Sequence, residues 1–84
     1  MRLDKYLKVS RLIKRRTVAN EACDASRVTV NGREAKASYD VKIGDVIDIS
    51  FGSRRVSVRV LDIRETTKKS ESVGMYEIVG ETDA

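Results

Sequence analysis

The cationic side chains of this sequence are concentrated at its N-terminal end. Residues 1–16 carry seven cations and one acid, a local charge of 7 − 1 = +6, whereas residues 17–84 carry 10 − 12 = −2. These cations are Arg2, Lys5, Lys8, Arg11, Lys14, Arg15 and Arg16. One acid, Asp4, is too few for ion pairing along a helix face to explain them. Guanidinium forks match two phosphate oxygens, so nucleic acid is the favoured partner and a merely solvated helix face is the alternative.

Asp4 has two interpretations within this basic segment. A carboxylate in the first turn of a helix can complement the positive end of the helix dipole. Alternatively, it can orient Arg2 or an arginine of a second helix for contact with phosphate. Hydroxyl groups at Ser10 and Thr17 lie among the cations, as phosphate-binding surfaces favour. Tyr39 lies in a polar stretch, where its ring could stack on a base.

The composition excludes several kinds of chemistry. The 84 residues include no histidine and a single cysteine, Cys23, so Ser-His-Asp catalysis, Cys-His catalysis, an internal disulfide and a thiolate zinc site lack their residues. Cys23 is predicted to lie in the core, and a lone cysteine indicates a reducing, cytoplasmic compartment. Apolar runs of three residues or fewer predict no membrane span. We therefore expect a small binding protein that uses no metal or cofactor and performs no catalysis.

Hydrophobic spacing predicts two short helices that carry the basic segment. Leu3, Tyr6 and Leu7 recur at i, i+3 and i+4, the spacing of a helix face that packs on a core. The hydroxyl of Tyr6 is expected at the rim of that core. A second helix is predicted to begin with Thr17 as its N-cap and to run to about Ala25. Its apolar face is predicted to contain Val18, Ala19, Ala22 and Cys23.

The rest of the chain alternates with a period of two and predicts four or five strands. Asn31-Gly32 follows Val28 and Val30, and this dipeptide is the strongest short signal for a hairpin. The other predicted features are turns at 41–45 and 52–53, a bulge or bend near Val60, a polar loop over 64–74 and a last strand over 75–79.

These elements predict an α+β fold, with an N-terminal helix–turn–helix-like pair packed on a small, mostly antiparallel β-sheet. The domain is expected to span residues 1–79. Residues 80–84 are expected to form a flexible C-terminal tail.

Four blocks of the sequence resemble the S-four RNA-binding domain, a family named for a small-subunit ribosomal protein. The blocks are Arg2-Leu3-Asp4-Lys5-Tyr6-Leu7, Arg11-Leu12-Ile13-Lys14-Arg15-Arg16, Val28-Thr29-Val30-Asn31-Gly32 and Val41-Lys42-Ile43-Gly44-Asp45. Any one block is a weak signal, and their joint spacing is specific. Residues 64–69 and 75–78 resemble the tail of small stand-alone members that act in bacterial ribosome-associated quality control. Heat-shock ribosome-binding members are similar over the N-terminal part.

The resemblance implies a non-catalytic factor that binds large ribosomal subunits obstructed by peptidyl-tRNA. Such a factor contacts ribosomal RNA and tRNA together and cooperates with a partner protein that extends the stalled chain with alanine. Carried over to matching positions, the RNA-contacting residues are Arg2, Asp4, Lys5, Lys8, Arg11, Lys14, Arg15 and Arg16, with Asn31 and Lys36 as weaker members. We expect a monomer that does not bind membranes.

The sequence departs from the family pattern at Ser26, where many members have glycine. A non-glycine residue in the left-handed conformation at this position would cost about 1 kcal/mol. The sequence therefore predicts either a different helix end or a strained serine at this point.

Three other functions are alternatives to this one. A heat-shock-type recycling factor for stalled large subunits is the nearest, because its N-terminal part is similar. A helix–turn–helix DNA regulator is disfavoured, since the second helix points Asn20, Glu21 and Asp24 outward and two acids suit a phosphate-lined groove poorly; this favours structured RNA. S-four domains are also appendages of pseudouridine synthases and methyltransferases, but 84 residues are expected to leave no room for such a catalytic domain.

Overall fold

A computed structural model describes residues 1–65 and 73–83 of the chain. Two helices, α1 (Leu3–Val9) and α2 (Arg16–Asp24), precede five strands that form one antiparallel sheet of order β2-β1-β3-β4-β5. The strands are β1 (Val28–Val30), β2 (Arg33–Glu34), β3 (Val46–Phe51), β4 (Arg54–Val60) and β5 (Tyr76–Asp83), the last preceded by a 3₁₀ turn at Val73–Met75. The predicted α+β fold is therefore confirmed. The predicted polar loop over 64–74 falls mostly on residues 66–72, which lie outside the described residues.

α2 begins two residues earlier than its predicted N-cap implies. Arg15 has an extended backbone (φ −122°, ψ 135°) and precedes the first helical residue, Arg16. The Ala19 N–H donates to the Arg15 carbonyl at 3.1 Å, which closes the first turn around Thr17. Thr17 as N-cap is therefore wrong. Val18 is also misassigned, because it is 46% exposed beside the packed face that Ala19 contributes to.

The C-terminal end of α2 is a Schellman motif built on a serine. Ser26 has φ 58°, its N–H donates to the Cys23 carbonyl at 3.1 Å, and the Arg27 N–H donates to the Ala22 carbonyl at 2.9 Å. These two bonds satisfy carbonyls that the helix end would otherwise leave without partners. The end of α2 near Ala25 is confirmed, and Ser26 adopts the left-handed conformation that glycine occupies at lower cost.

The hairpin between β1 and β2 is the turn that its sequence predicts. Asn31 and Gly32 have φ 53° and 82°, and Val30 pairs with Arg33 directly across the two-residue turn. Both central residues therefore have the positive φ of a type I′ turn, which matches the right-handed twist of the strands. This turn connects the central part of the sheet to residues 35–40, which pack beside α1 and α2.

The bulge and the end of the last strand differ from their predictions. Ser57 pairs with Gly80 and Val58 with Ile78, so Val79 of β5 is the extra residue. Of the two features predicted near Val60, a bulge or a bend, the bulge is wrong. The phase shift after Val60 marks instead the end of β4. β5 extends beyond residue 79 to Asp83, which pairs with Arg54, so the predicted strand end is wrong. The division into a domain of 1–79 and a flexible tail of 80–84 stays a prediction.

The helices pack on one face of the sheet. The side chains that meet in the core include Leu3, Leu7, Val28, Val30, Ile47, Ile49, Val58, Val60 and Met75. Cys23 is buried as predicted, and burial raises the pKa of its thiol to about 11, so the thiol stays protonated at neutral pH. Tyr6 is fully buried and its hydroxyl donates to the Met75 carbonyl at 2.8 Å; its predicted place at the rim is wrong.

The opposite face of the sheet is polar. Asp48 of β3 lies at its centre and accepts hydrogen bonds from Thr29 of β1 and Ser57 of β4. Arg59 and Glu77 form an ion pair nearby, at 2.5 Å. Within the described part of the chain, no helix is long and apolar enough to cross a membrane.

Candidate nucleic-acid interface

A buried carboxylate, Asp4, connects the two helices. It is 2% exposed and lies in the first turn of α1. Arg2 Nε lies 3.2 Å from its Oδ1, and Arg16 Nε lies 3.4 Å from its Oδ2. Asn20 Nδ2 donates to Oδ2 at 3.4 Å, and the Lys5 backbone N–H donates to Oδ1 at 2.8 Å. We call Asp4, Arg2, Arg16 and Asn20 the Asp4 cluster.

The Asp4 carboxylate is held in its charged form by its partners. Burial by itself would raise the pKa of Asp4, but the hydrogen bonds from Arg2, Asn20, Arg16 and the Lys5 N–H outweigh burial and lower it below its ordinary value. The carboxylate is therefore ionised at neutral pH. An ionised buried group with these donors fixes the side chains around it, because each of them would lose a charge-assisted hydrogen bond by moving away.

The two arginines of the Asp4 cluster are half exposed. The side chain of Arg2 is 52% exposed and that of Arg16 is 49% exposed. A guanidinium has five N–H donors, and contact with Asp4 uses only part of that number. Arg2 immediately precedes α1, and Arg16 is the first residue of α2. The arrangement thus presents two oriented guanidinium groups to solvent, which agrees with the orienting interpretation of Asp4.

The other cations of the N-terminal segment differ in what surrounds them. Lys8, Lys14 and Arg15 are exposed. Arg11 is exposed at the end of α1, in the left-handed region with φ 65°. Lys5 forms an ion pair with Glu65, so its ammonium group has a partner within the protein. All of them stay predicted contacts.

Ser10 does not contribute a hydroxyl to this surface. It is 1% exposed, and its hydroxyl donates to the Leu7 carbonyl at 3.3 Å. The prediction that it lies among the phosphate contacts is wrong, because Ser10 is the C-cap of α1 and faces the core. Thr17, in contrast, is exposed beside Arg16.

Asn31 and Tyr39 belong to a second cluster around Asp45, which is 8% exposed. Asn31 Nδ2 donates to Asp45 Oδ1 at 3.0 Å, and Asn31 Oδ1 accepts from the Val46 N–H at 3.0 Å. The Tyr39 hydroxyl and the Lys42 N–H each donate to Asp45 Oδ2 at 2.9 Å. Burial would raise the pKa of Asp45, but the hydrogen bonds outweigh it and lower it. Both ends of the Asn31 amide are therefore engaged inside the protein.

Lys36 shares a cleft with two members of the Asp4 cluster. Lys36, Arg2 and Asn20 line the same open cleft between α2 and residues 34–38, whereas Asn31 lines a different one with Tyr39. The structure thus brings Lys36 to the cleft that Arg2 and Asn20 line. Asn20 was predicted only as an outward polar residue; its spacing of four from Arg16, one helical turn, is the signal that could have placed it beside that arginine.

The helix pair, the five-stranded sheet and the cluster that joins the helices define a small domain of a known class. The sequence profile of the S4 domain matches residues 1–47, which is more than half of the chain, and the chain belongs to the S4 domain family. A Streptococcus pneumoniae protein named RQC P-site tRNA stabilizing factor is 56% identical over 82 residues, covering 98% of this chain and 93% of that protein. A Bacillus subtilis protein of the same name is 56% identical over 96% of this chain and 94% of its own length.

A solved structure supports the same assignment. The trimeric structure of Vibrio cholerae Heat Shock Protein 15 has a TM-score of 0.88 and 29% sequence identity, covering 94% of this chain and 81% of the other. The resemblance that the four sequence blocks indicated, to the S-four domain and to its quality-control members, is therefore confirmed.

Proposed function

We propose that the chain is a non-catalytic, cytoplasmic RNA-binding factor of ribosome-associated quality control. As a monomer, it binds large ribosomal subunits obstructed by peptidyl-tRNA, contacts ribosomal RNA and tRNA, and supports the addition of alanine to the stalled chain by a partner protein. The observation that carries the proposal is the pair of half-exposed guanidiniums that one buried carboxylate holds at the junction of α1 and α2. The names of the most similar relatives supply the ribosomal context.

The Asp4 cluster suits an RNA backbone for a physical reason. Two guanidiniums fixed before binding lose little conformational entropy when they meet phosphates, so more of the contact energy appears as affinity. The N-terminus of α2 lies at Arg16 and has no capping side chain among the described residues, and its free N–H groups add to the positive field. We assign the RNA contacts to Arg2, Lys5, Lys8, Arg11, Lys14, Arg15 and Arg16, with Asn31 and Lys36 as weaker members. Asp4 belongs to this set as the buried residue that orients Arg2 and Arg16.

Sedimentation with large subunits tests this proposal. Arg16→Glu places a carboxylate beside Asp4 and removes one oriented guanidinium, so we expect binding to subunits obstructed by peptidyl-tRNA to fall at least about 100-fold. Arg55→Glu makes the same change of charge at an exposed position of β4 on the polar sheet face, and we expect it to retain most of the binding. Equal binding by both variants would refute the proposed surface.

A second candidate, a heat-shock-type recycling factor, is favoured by the likeness to Heat Shock Protein 15. The two functions differ in what they do to the stalled chain. In a translation lysate depleted of the protein, adding it back should lengthen the nascent chain by alanine if the first proposal holds. If the protein instead only speeds the return of obstructed large subunits to translation, the recycling function replaces it. Specific protection of a palindromic DNA duplex would favour the DNA regulator over both.

A further inference from the structure

We propose that Asn20 forms a subsite for the ribose 2′-hydroxyl of the bound RNA. The inference rests on the proposed function, since it concerns the same surface. It adds the feature by which that surface distinguishes RNA from DNA. Asn20 is not among the RNA-contacting residues that the family resemblance implies, and it lies outside the basic segment of residues 1–16.

The orientation of the Asn20 amide follows from the chemistry of its partner. An ionised carboxylate has no proton to donate, so the end of the amide that faces Asp4 is the NH₂ group. Nδ2 donates to Asp4 Oδ2 at 3.4 Å, and the carbonyl oxygen Oδ1 is thereby turned away from the carboxylate. Within residues 1–65 and 73–83, no group donates a hydrogen bond to Oδ1. This leaves an oriented acceptor at the surface.

The surroundings of Asn20 place this acceptor among phosphate-binding donors. Asn20 is partly buried and lines two open clefts. Arg2 and Lys36 line one of them, and Arg16 lines the other. A phosphate oxygen only accepts hydrogen bonds, so it suits the guanidiniums and is repelled by the carbonyl oxygen of Asn20. The group that suits Oδ1 is a neutral O–H or N–H donor next to a phosphate.

RNA carries such a donor at every nucleotide. The ribose 2′-hydroxyl is both a donor and an acceptor, lies close to the backbone phosphates, and is absent from DNA. A strand whose phosphates contact Arg2 and Arg16 therefore brings 2′-hydroxyls to Asn20. Amino groups of bases are the other source of N–H donors, and they are common to RNA and DNA, which allows an experiment to separate the two.

The test compares binding of a tRNA transcript with binding of a DNA of the same sequence. Asn20→Leu removes the amide while keeping the branched shape and the number of side-chain heavy atoms. Because Asn20 also donates to Asp4, part of any loss is common to RNA and DNA. We expect the affinity for the tRNA transcript to fall about three- to tenfold further than the affinity for DNA, as for the loss of one neutral hydrogen bond. Thr29→Val is the matched control, because it removes a hydroxyl from the polar sheet face; both affinities should stay at the wild-type level.

An equal loss of affinity for RNA and DNA in Asn20→Leu would overturn the inference. That result would mean that Asn20 acts only by positioning the arginines through Asp4, or that it contacts a base amino group. A wild-type protein with no preference for the tRNA transcript over the DNA would overturn it as well. Failure of the proposed function has a different signature, namely wild-type protein that does not sediment with obstructed large subunits.

A second measurement needs no protein variant. A tRNA transcript carrying 2′-fluoro groups keeps the A-form shape but has no 2′ proton to donate. Wild-type protein should bind it about three- to tenfold more weakly than the unmodified transcript, again the effect of one hydrogen bond. Equal binding of the two transcripts would overturn the inference even if Asn20→Leu fails to fold.

Discussion

Asp4 and Asp45 are both buried carboxylates, and they are hydrogen-bonded to different kinds of group. Asp4 accepts from the side chains of two arginines and Asn20, which come from the start of α1 and from α2. Asp45 accepts from the amide of Asn31, the hydroxyl of Tyr39 and the Lys42 N–H. In both cases the hydrogen bonds lower the pKa of the carboxyl against the effect of burial.

The two clusters differ in how many hydrogen-bond donors remain available for a ligand. The polar groups of Asn31 and Tyr39 are hydrogen-bonded to Asp45 and to the Val46 N–H. The Asp45 cluster therefore fixes the hairpin and the 39–45 segment. The arginines on Asp4 each keep N–H groups that face solvent. The Asp45 carboxylate thus stabilises the fold, whereas the Asp4 carboxylate orients side chains for binding. The difference lies in the side chains that donate to each carboxylate.

The largest effect on stability is expected at Asp45. Asp45→Ala leaves the Asn31 amide, the Tyr39 hydroxyl and the Lys42 N–H without their acceptor, so we expect the free energy of unfolding to fall by about 3 kcal/mol. Urea titration followed by circular dichroism measures this change. Asp48→Ala removes an acceptor from the polar sheet face, where water can replace it, and should cost about 1 kcal/mol. Equal losses in the two variants would show that Asp45 contributes no more to stability than Asp48 does.

A smaller effect, on binding, is expected at Asp4. Asp4→Asn makes the protein more positive by one charge, which by long-range attraction alone would strengthen RNA binding. Because Arg2 and Arg16 lose the anion that orients them, we expect affinity for obstructed large subunits to fall about tenfold instead. Sedimentation at a fixed salt concentration shows whether the affinity of Asp4→Asn falls or rises. Unchanged or stronger binding would return Asp4 to the helix-dipole interpretation.

The smallest effect is a dependence of stability on pH that the two carboxylates share. The pKa of each is lower in the folded chain than its ordinary value of 3.8, so the unfolded chain binds more protons than the folded chain in acid. Their contribution is fully present above about pH 4 and is lost as the pH falls through the folded pKa values. Between about pH 6 and about pH 3, wild type should therefore lose more stability than Asp45→Asn. Equal losses on urea titration would contradict this assignment.

The elements that the sequence predicted correctly depend on neighbouring residues. Asn31-Gly32 forms its turn because both residues accept positive φ, and the spacing of Leu3, Tyr6 and Leu7 places a helix face on the core wherever that core lies. The basic character of residues 1–16 is likewise a property of that segment alone. These features could be predicted because they do not depend on residues that are far away in the sequence.

The features that were missed depend on parts of the chain that are far apart in sequence. Asn20 reaches Asp4 only through the angle at which the two helices pack, which no spacing specifies. An arginine of the second helix beside Asp4 is one of the two interpretations that the sequence leaves open. The bulge at Val79 is a matter of register between β4 and β5, and the apolar pattern of β4 alone placed it near Val60. Ser10 and Thr17 were misjudged for a related reason, because the helices end and begin at residues that local propensity did not single out.

The hydrogen bond from the Tyr6 hydroxyl to the Met75 carbonyl joins groups that are 69 residues apart. α1 is therefore made long before the residue that fixes its central tyrosine. The sheet can close around Tyr6 only when the residues preceding β5 have been made, and such late contacts slow folding. The helix that carries the Asp4 carboxylate is therefore fixed on the sheet only after a contact of high sequence separation has formed.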